Sequence, residues 1–114
     1  MRNAFRQLVQ HRLVILDGAT GTELRNRGMP ADACPERWIL QNPDQLVRLQ
    51  EAYCEAGSDI IYSGTFGANR YRLRRFGIRE NVTRMNRQLA EISRRAAGRG
   101  WVFGDMAPSG AFIE

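Results

Sequence analysis

The residues of this chain best equipped for chemistry lie in Asp17-Gly18-Ala19-Thr20-Gly21-Thr22. A carboxylate can hold an ammonium group by a charge-assisted hydrogen bond. Gly18 and Gly21 let the backbone turn sharply and approach a ligand closely. Thr20 and Thr22 add hydroxyls. The preceding run, Leu13-Val14-Ile15-Leu16, is apolar and branched, and it reads as a strand buried on both faces of a parallel sheet. Asp17 then stands at the C-terminal end of that strand, where α/β folds bind their ligands. An ordinary strand-to-helix turn with a solvated Asp has the same spacing, so the pattern alone leaves both readings open.

The other reactive side chains form no comparable constellation. Cys34 and Cys54 are the two cysteines, too few for a disulfide framework, and their separation matches no zinc motif. His11 is the single histidine. No metal site is expected from this chain alone; Cys54 is expected to be buried on a helix and Cys34 to lie in a loop. The net charge is +5, and all seventeen basic side chains are Arg. Ten of them fall between Arg70 and Arg99, opposed there only by Glu80 and Glu91. A patch of this kind can bind phosphates or nucleic acid. No aromatic-interleaved RNA motif or zinc finger accompanies it, so a solvated helical face is expected and nucleic acid is not an expected partner.

These groups must be positioned by a chain of 114 residues, 43% hydrophobic and 25% charged, enough for one modest core. No apolar run approaches the roughly 20 residues that span a bilayer, and the basic start Met1-Arg2-Asn3-Ala4-Phe5-Arg6 lacks the apolar run of a signal peptide. The cytoplasm is the expected compartment, with no membrane partner. Phe5, Leu8 and Val9 predict a short helix over residues 2–11. A strand over 13–17 and a short helix from Thr20 to Arg27 follow, stopped by Gly28 and Pro30. Residues 30–37 read as a loop. Asn42-Pro43 reads as a helix start, with Asn at the N-cap and Pro at the first helical position. Leu46, Leu49, Tyr53 and Ala56 give that helix one apolar stripe, ended by Gly57. Ile60-Ile61-Tyr62 is a second strand, followed by the loop Ser63-Gly64-Thr65-Phe66-Gly67. Helices from about Ala68 to Arg75 and from Asn81 to Ala97 precede a third strand, Trp101-Val102-Phe103-Gly104-Asp105. Strands separated by helices make parallel, right-handed βαβ units. The expected class is α/β, an N-terminal βαβαβ portion of a (β/α)8 TIM barrel, since a complete barrel takes about 250 residues.

In that frame several motifs match a known family. Leu16-Asp17-Gly18-Ala19-Thr20-Gly21-Thr22-Glu23 resembles the opening signature of the homocysteine S-methyltransferases. Glu55-Ala56-Gly57-Ser58-Asp59-Ile60-Ile61 resembles their helix end and second strand, and Ser63-Gly64-Thr65-Phe66-Gly67-Ala68 their Thr-Asn-Thr-Phe loop. Gly104-Asp105-Met106-Ala107-Pro108-Ser109-Gly110 resembles their Gly-x-x-Gly-Pro-x-Gly third loop. The four motifs occur in order from about Arg12 to Gly110, and they look most like the homocysteine-binding barrel of cobalamin-dependent methionine synthases.

The resemblance implies a (β/α)8 barrel of which residues 1–114 form about three strands. It implies methyl transfer to the sulfur of homocysteine, giving methionine. Zinc is the implied cofactor, favouring the nucleophilic thiolate. The family's zinc ligands are cysteines at the sixth and eighth strands, to which Cys34 and Cys54 do not correspond. Methylcobalamin is one implied methyl donor, with a corrinoid domain or protein as partner; a betaine-like compound and S-methylmethionine are others. On the substrate side, Asp17 matches the family aspartate beside the amino-acid part of homocysteine. Gly18, Ala19 and Thr20 would offer backbone donors to its carboxylate, and Thr65 would line the barrel mouth. Gly64 stands where the family usually has Asn, and its presence removes an amide from the mouth. Ala107 stands where Gly is common. The alternative to an enzyme is a truncated, inactive homologue that serves as an assembly module.

Overall fold

A computed structural model describes residues 1–112. Its order is α1 (Arg2–His11), α2 (Gly21–Asn26), α3 (Pro35–Gln41), α4 (Pro43–Glu55), β1 (Ile60–Tyr62), α5 (Arg70–Arg75), α6 (Val82–Ala97) and β2 (Trp101–Phe103). The strands β1 and β2 pair in parallel, Ile60 opposite Trp101 and Tyr62 opposite Phe103. On the other side of β1 the segment ending at Asp17 makes one parallel bridge, Leu16 to Ile60.

That segment departs from its expected form. Asp59 N and Ile60 N both donate to Ile15 O, and Asp17 N donates to Ile60 O, so it lies alongside β1 as a strand would. Yet Leu13 is 90% exposed and Ile15 and Leu16 are about half exposed. The reason is geometric. One edge of the segment is paired to β1 and no described residue pairs with the other. Its anchor is polar: Arg12 pairs with Asp59 at 2.6 Å, and Asp59 also accepts from Ile15 N at 3.0 Å. The third strand is also shorter than expected, ending at Phe103.

Helices α4 and α6 pack on one face of this sheet. Along α6 the apolar spacing Val82, Met85, Leu89, Ile92 and Ala96 makes one stripe, half-buried at Val82 and under a tenth exposed at the other four. Burying each large side chain of that kind is worth about 1.5–3 kcal/mol. Leu46 and Leu49 of α4 meet Leu89 and Ile92 of α6 in the main core, with Leu24 and Ile39. Ile61 and Val102 point into the same layer, against Ala96 and Ala97. Trp101 and Phe103 point the other way, and Phe5 of α1 meets both rings edge-on, at 6.0 and 5.1 Å. Asn81 caps α6 by accepting from Arg84 N at 2.9 Å.

The region 30–37, expected as a loop, turns helical at Pro35. The apolar Trp38-Ile39-Leu40 gives α3 its reason: Ile39 is 2% exposed and closes over Leu24 and Leu46. This insertion also changes the role of Asn42. It stands between α3 and α4, and its side-chain amide donates to Trp38 O at 3.0 Å instead of capping α4. The cysteines exchange their expected environments. Cys34, before α3, is buried, while Cys54 on α4 is only partly covered. The arginine-rich face is solvated as expected, with one exception treated below. Among the described residues no helix is long and apolar enough to cross a membrane.

Candidate functional site

The ends of the three sheet segments converge. Asp17 Oδ2 accepts from Tyr62 N at 3.2 Å, which ties the first loop to the end of β1. Burial raises the Asp17 carboxyl above its ordinary range, the backbone hydrogen bonds oppose this, and the nearby Asp105 charge adds to the rise. The second loop is tied to the third in turn. Ser63 N donates to Phe103 O, and Ala107 N donates to Phe66 O. The hydroxyls of Ser63 and Thr65 lie 2.7 Å apart, and Thr65 Oγ1 donates to Asp105 O at 2.8 Å.

Between the first and second loops opens a cleft of about 300 Å³. Asp17, Glu36, Arg72 and Asp105 bring charge to it, and Leu24, Ile39 and Phe66 bring apolar surface. A pocket that is mostly apolar with a few convergent polar groups is the usual form of a small-molecule site. Charges of both signs suit a zwitterion.

The expected site residues take different places around it. Asp17, Gly18 and Thr20 line the cleft. Ala19 does not; its carbonyl accepts from the Tyr53 phenol at 2.8 Å. The Tyr53 ring lies so close to Gly18 that a Cβ there would sit 3.0 Å from it. A side chain at Gly18 would therefore have to displace the Tyr53 ring that α4 brings to the first loop. Thr65 is 8% exposed and lines a neighbouring groove with Asp105, Met106 and Ala107; its hydroxyl binds main chain. At Gly64 the structure adds a packing constraint. A Cβ there would point at Leu46 Cδ2, 2.9 Å away, and Ile39 Cδ1, 3.4 Å away. Gly64 lines the cleft, and a Cβ there would press on the helix layer beneath it.

Two residues that the sequence did not single out shape the cleft. Glu36 is 5% exposed; its Oε1 accepts from Gly67 N at 2.6 Å and its Oε2 from the Cys34 thiol at 3.4 Å. Arg72 lies over the Phe66 ring, its guanidinium carbon 5.4 Å from the centroid. An acid in the first turn after Pro35 was a weak signal for the first, and nothing local marked the second among so many arginines.

The chain's own residues do not fit the zinc that the resemblance implies. Among the described residues no three of His, Cys, Asp and Glu cluster to hold a metal. Burial pushes both thiols up, away from the thiolate that zinc needs. No step is routed through a metal on these residues.

Comparison with known proteins bears on the family and the fold. The family described as homocysteine S-methyltransferase matches residues 14–114. The chain is 28% identical over 115 residues to methionine synthase of Mycobacterium leprae, covering 90% of this chain and 10% of that protein. It is 28% identical over 114 residues to methionine synthase of Mycobacterium tuberculosis, covering 89% and 10%. Its fold matches the crystal structure of the metallated homocysteine methyltransferase MmuM from Escherichia coli with a TM-score of 0.75 at 24% identity. That match covers 93% of this chain and 42% of the other. The chain thus spans about a tenth of the length of these methionine synthases.

Proposed function

Because the chain belongs to the homocysteine S-methyltransferase family, we propose that the cleft between its first two loops binds homocysteine, and that the protein bearing it transfers a methyl group to the homocysteine thiol. The product is methionine. The observation that carries this reading is Asp17, a partly buried carboxylate held at the sheet end by Tyr62 N and facing a cleft sized for a small amino acid. Asp17 receives the substrate ammonium. Gly18 and Thr20, which line the cleft, offer their backbone N–H groups, neither of which donates to another backbone group among the described residues, while Ala19 lies outside the lining. Thr65 acts from behind, holding Asp105 and with it the third loop.

Residues 1–114 supply, in this reading, about three strands of a (β/α)8 barrel. The exposed Leu13, Ile15 and Leu16 along the free edge support it, as does the fold match. Zinc activation of the thiol and methylcobalamin as donor belong to the same proposal; ligands for the zinc would come from residues other than these.

The test is titration of homocysteine into the native protein and into Asp17→Asn, with thermal unfolding alongside. A hydrogen bond to a charged group is worth about 1.5–3 kcal/mol, so affinity should fall about tenfold or more. The melting temperature should hold. Wild-type affinity should itself weaken on acidification, starting above the ordinary carboxylate range because burial raises the Asp17 carboxyl. The Asn variant should lose that dependence. Unchanged affinity with lower thermal stability would show Asp17 to be structural.

A further inference from the structure

Of the ten arginines between Arg70 and Arg99, Arg72 alone is half-buried and the other nine are exposed. Its place is set by the chain around it. Asn69 accepts from Arg72 N at 3.0 Å, which fixes the first turn of α5 beside the second loop. The Phe66 ring then lies under the guanidinium. A guanidinium over a ring face is attracted to it and keeps its N–H groups free to donate. Among the described residues Arg72 makes no ion pair.

The acid nearest to hand does not change that. Both oxygens of Glu36 are engaged, by Gly67 N and by the Cys34 thiol. A Cβ on Gly67 would fall 2.6 Å from Glu36 Oε1 and 3.1 Å from Arg72 Nε. The missing side chain at 67 is what admits both groups to the loop.

The cleft's charge balance gives Arg72 its meaning. Asp17, Glu36 and Asp105 line it as carboxylates, and Arg72 is its single cation among the described residues. Without Arg72 such a cleft attracts an ammonium and repels a carboxylate. Backbone N–H groups of the first loop offer dipoles and no net charge.

We propose that Arg72 is the specificity-determining residue of this cleft, receiving the carboxylate of the amino-acid thiol while Asp17 receives its ammonium. The proposal rests on the homocysteine reading above and names the residue that separates an amino acid from a plain aminothiol.

The experiment compares homocysteine with homocysteamine, the same aminothiol without the carboxylate, by titration into the native protein, Arg72→Met and Arg72→Lys. The wild type should favour homocysteine by about 10- to 100-fold, the range for one charge-assisted contact. Arg72→Met should bring the ratio close to unity by weakening homocysteine alone, with homocysteamine affinity held or improved. Arg72→Lys keeps the charge and should keep part of the preference, and it decides the matter if the Met variant does not fold. Equal loss for both thiols in Arg72→Met, or no preference in Arg72→Lys at native melting temperature, overturns the proposal and leaves the homocysteine reading standing. A wild type that binds neither thiol overturns both.

Discussion

Replacing Gly64 isolates one steric contact, and its consequence can be worked out from the structure. Gly64 is not among the glycines with positive φ, so an L side chain is not excluded by the backbone. What excludes it is Leu46, whose Cδ2 would lie 2.9 Å from the new Cβ, with Ile39 Cδ1 at 3.4 Å. Leu46 is fully buried and Ile39 nearly so, and neither can retreat without disturbing Leu89 and Leu24 behind them. Overpacking a core by one carbon costs about 1–3 kcal/mol. Replacing Gly by Ala returns about 0.4–1 kcal/mol through the unfolded chain where the backbone is compatible. Gly64→Ala should therefore destabilise by about 1–2 kcal/mol. Gly64→Asn should cost more, because its amide would enter an apolar layer and an unpaired buried polar group adds about 1–3 kcal/mol. Urea unfolding gives both values from shifts in midpoint. A double-mutant cycle with Leu46→Ala then assigns the cause. That truncation should cost about 2–5 kcal/mol alone, yet in its background Gly64→Ala should be neutral or stabilising. If Gly64→Ala is harmless in the wild type, or equally harmful in both backgrounds, the steric reasoning is wrong.

Two more outcomes follow from polar contacts. Glu36→Ala removes the acceptor of the buried Gly67 N–H and should lower stability by about 1–3 kcal/mol from that group alone. Glu36→Gln keeps an acceptor oxygen and should cost less in the same urea titration; equal costs would mean that the hydrogen bond is not what Glu36 supplies. Arg12 and Ile15 N hold the Asp59 carboxyl down at about 2. A depressed carboxyl contributes stability that is present above its unfolded value and lost as pH falls through its folded value. Acid unfolding should therefore steepen between about pH 4 and pH 2, and Asp59→Asn should flatten that window in circular dichroism. An unaltered acid profile would show that the pair is too solvated to matter.

Asp105 shows how the second and third loops depend on each other. Its N–H faces the hydroxyls of Ser63 and Thr65 at 3.3 Å, and its carbonyl accepts from Thr65. Its side chain is one of the charges of the cleft. The sequence placed it at a strand end and gave no sign that two hydroxyls of another loop would aim it. The same holds for Tyr53, expected only as part of an apolar stripe. In the folded chain its phenol reaches the Ala19 carbonyl and its ring sets the space available at Gly18.

What the sequence by itself determined is local and periodic. The helix from about Asn81 to Ala97 and the short strand Ile60-Ile61-Tyr62 follow from side-chain spacing that acts over a few residues. The motif around Asp17 placed a carboxylate at a sheet end for the same reason. Tertiary structure decided the rest, because it turns on distances across the chain. Whether Leu13-Val14-Ile15-Leu16 is buried depends on neighbours on both edges, and among the described residues only β1 pairs with it. What a side chain at Gly64 would press on depends on where Leu46 of α4 lies. Which of many arginines matters depends on Phe66, Glu36 and Gly67 meeting at one place. Local pattern tells a residue which element it joins; packing alone tells it what it faces.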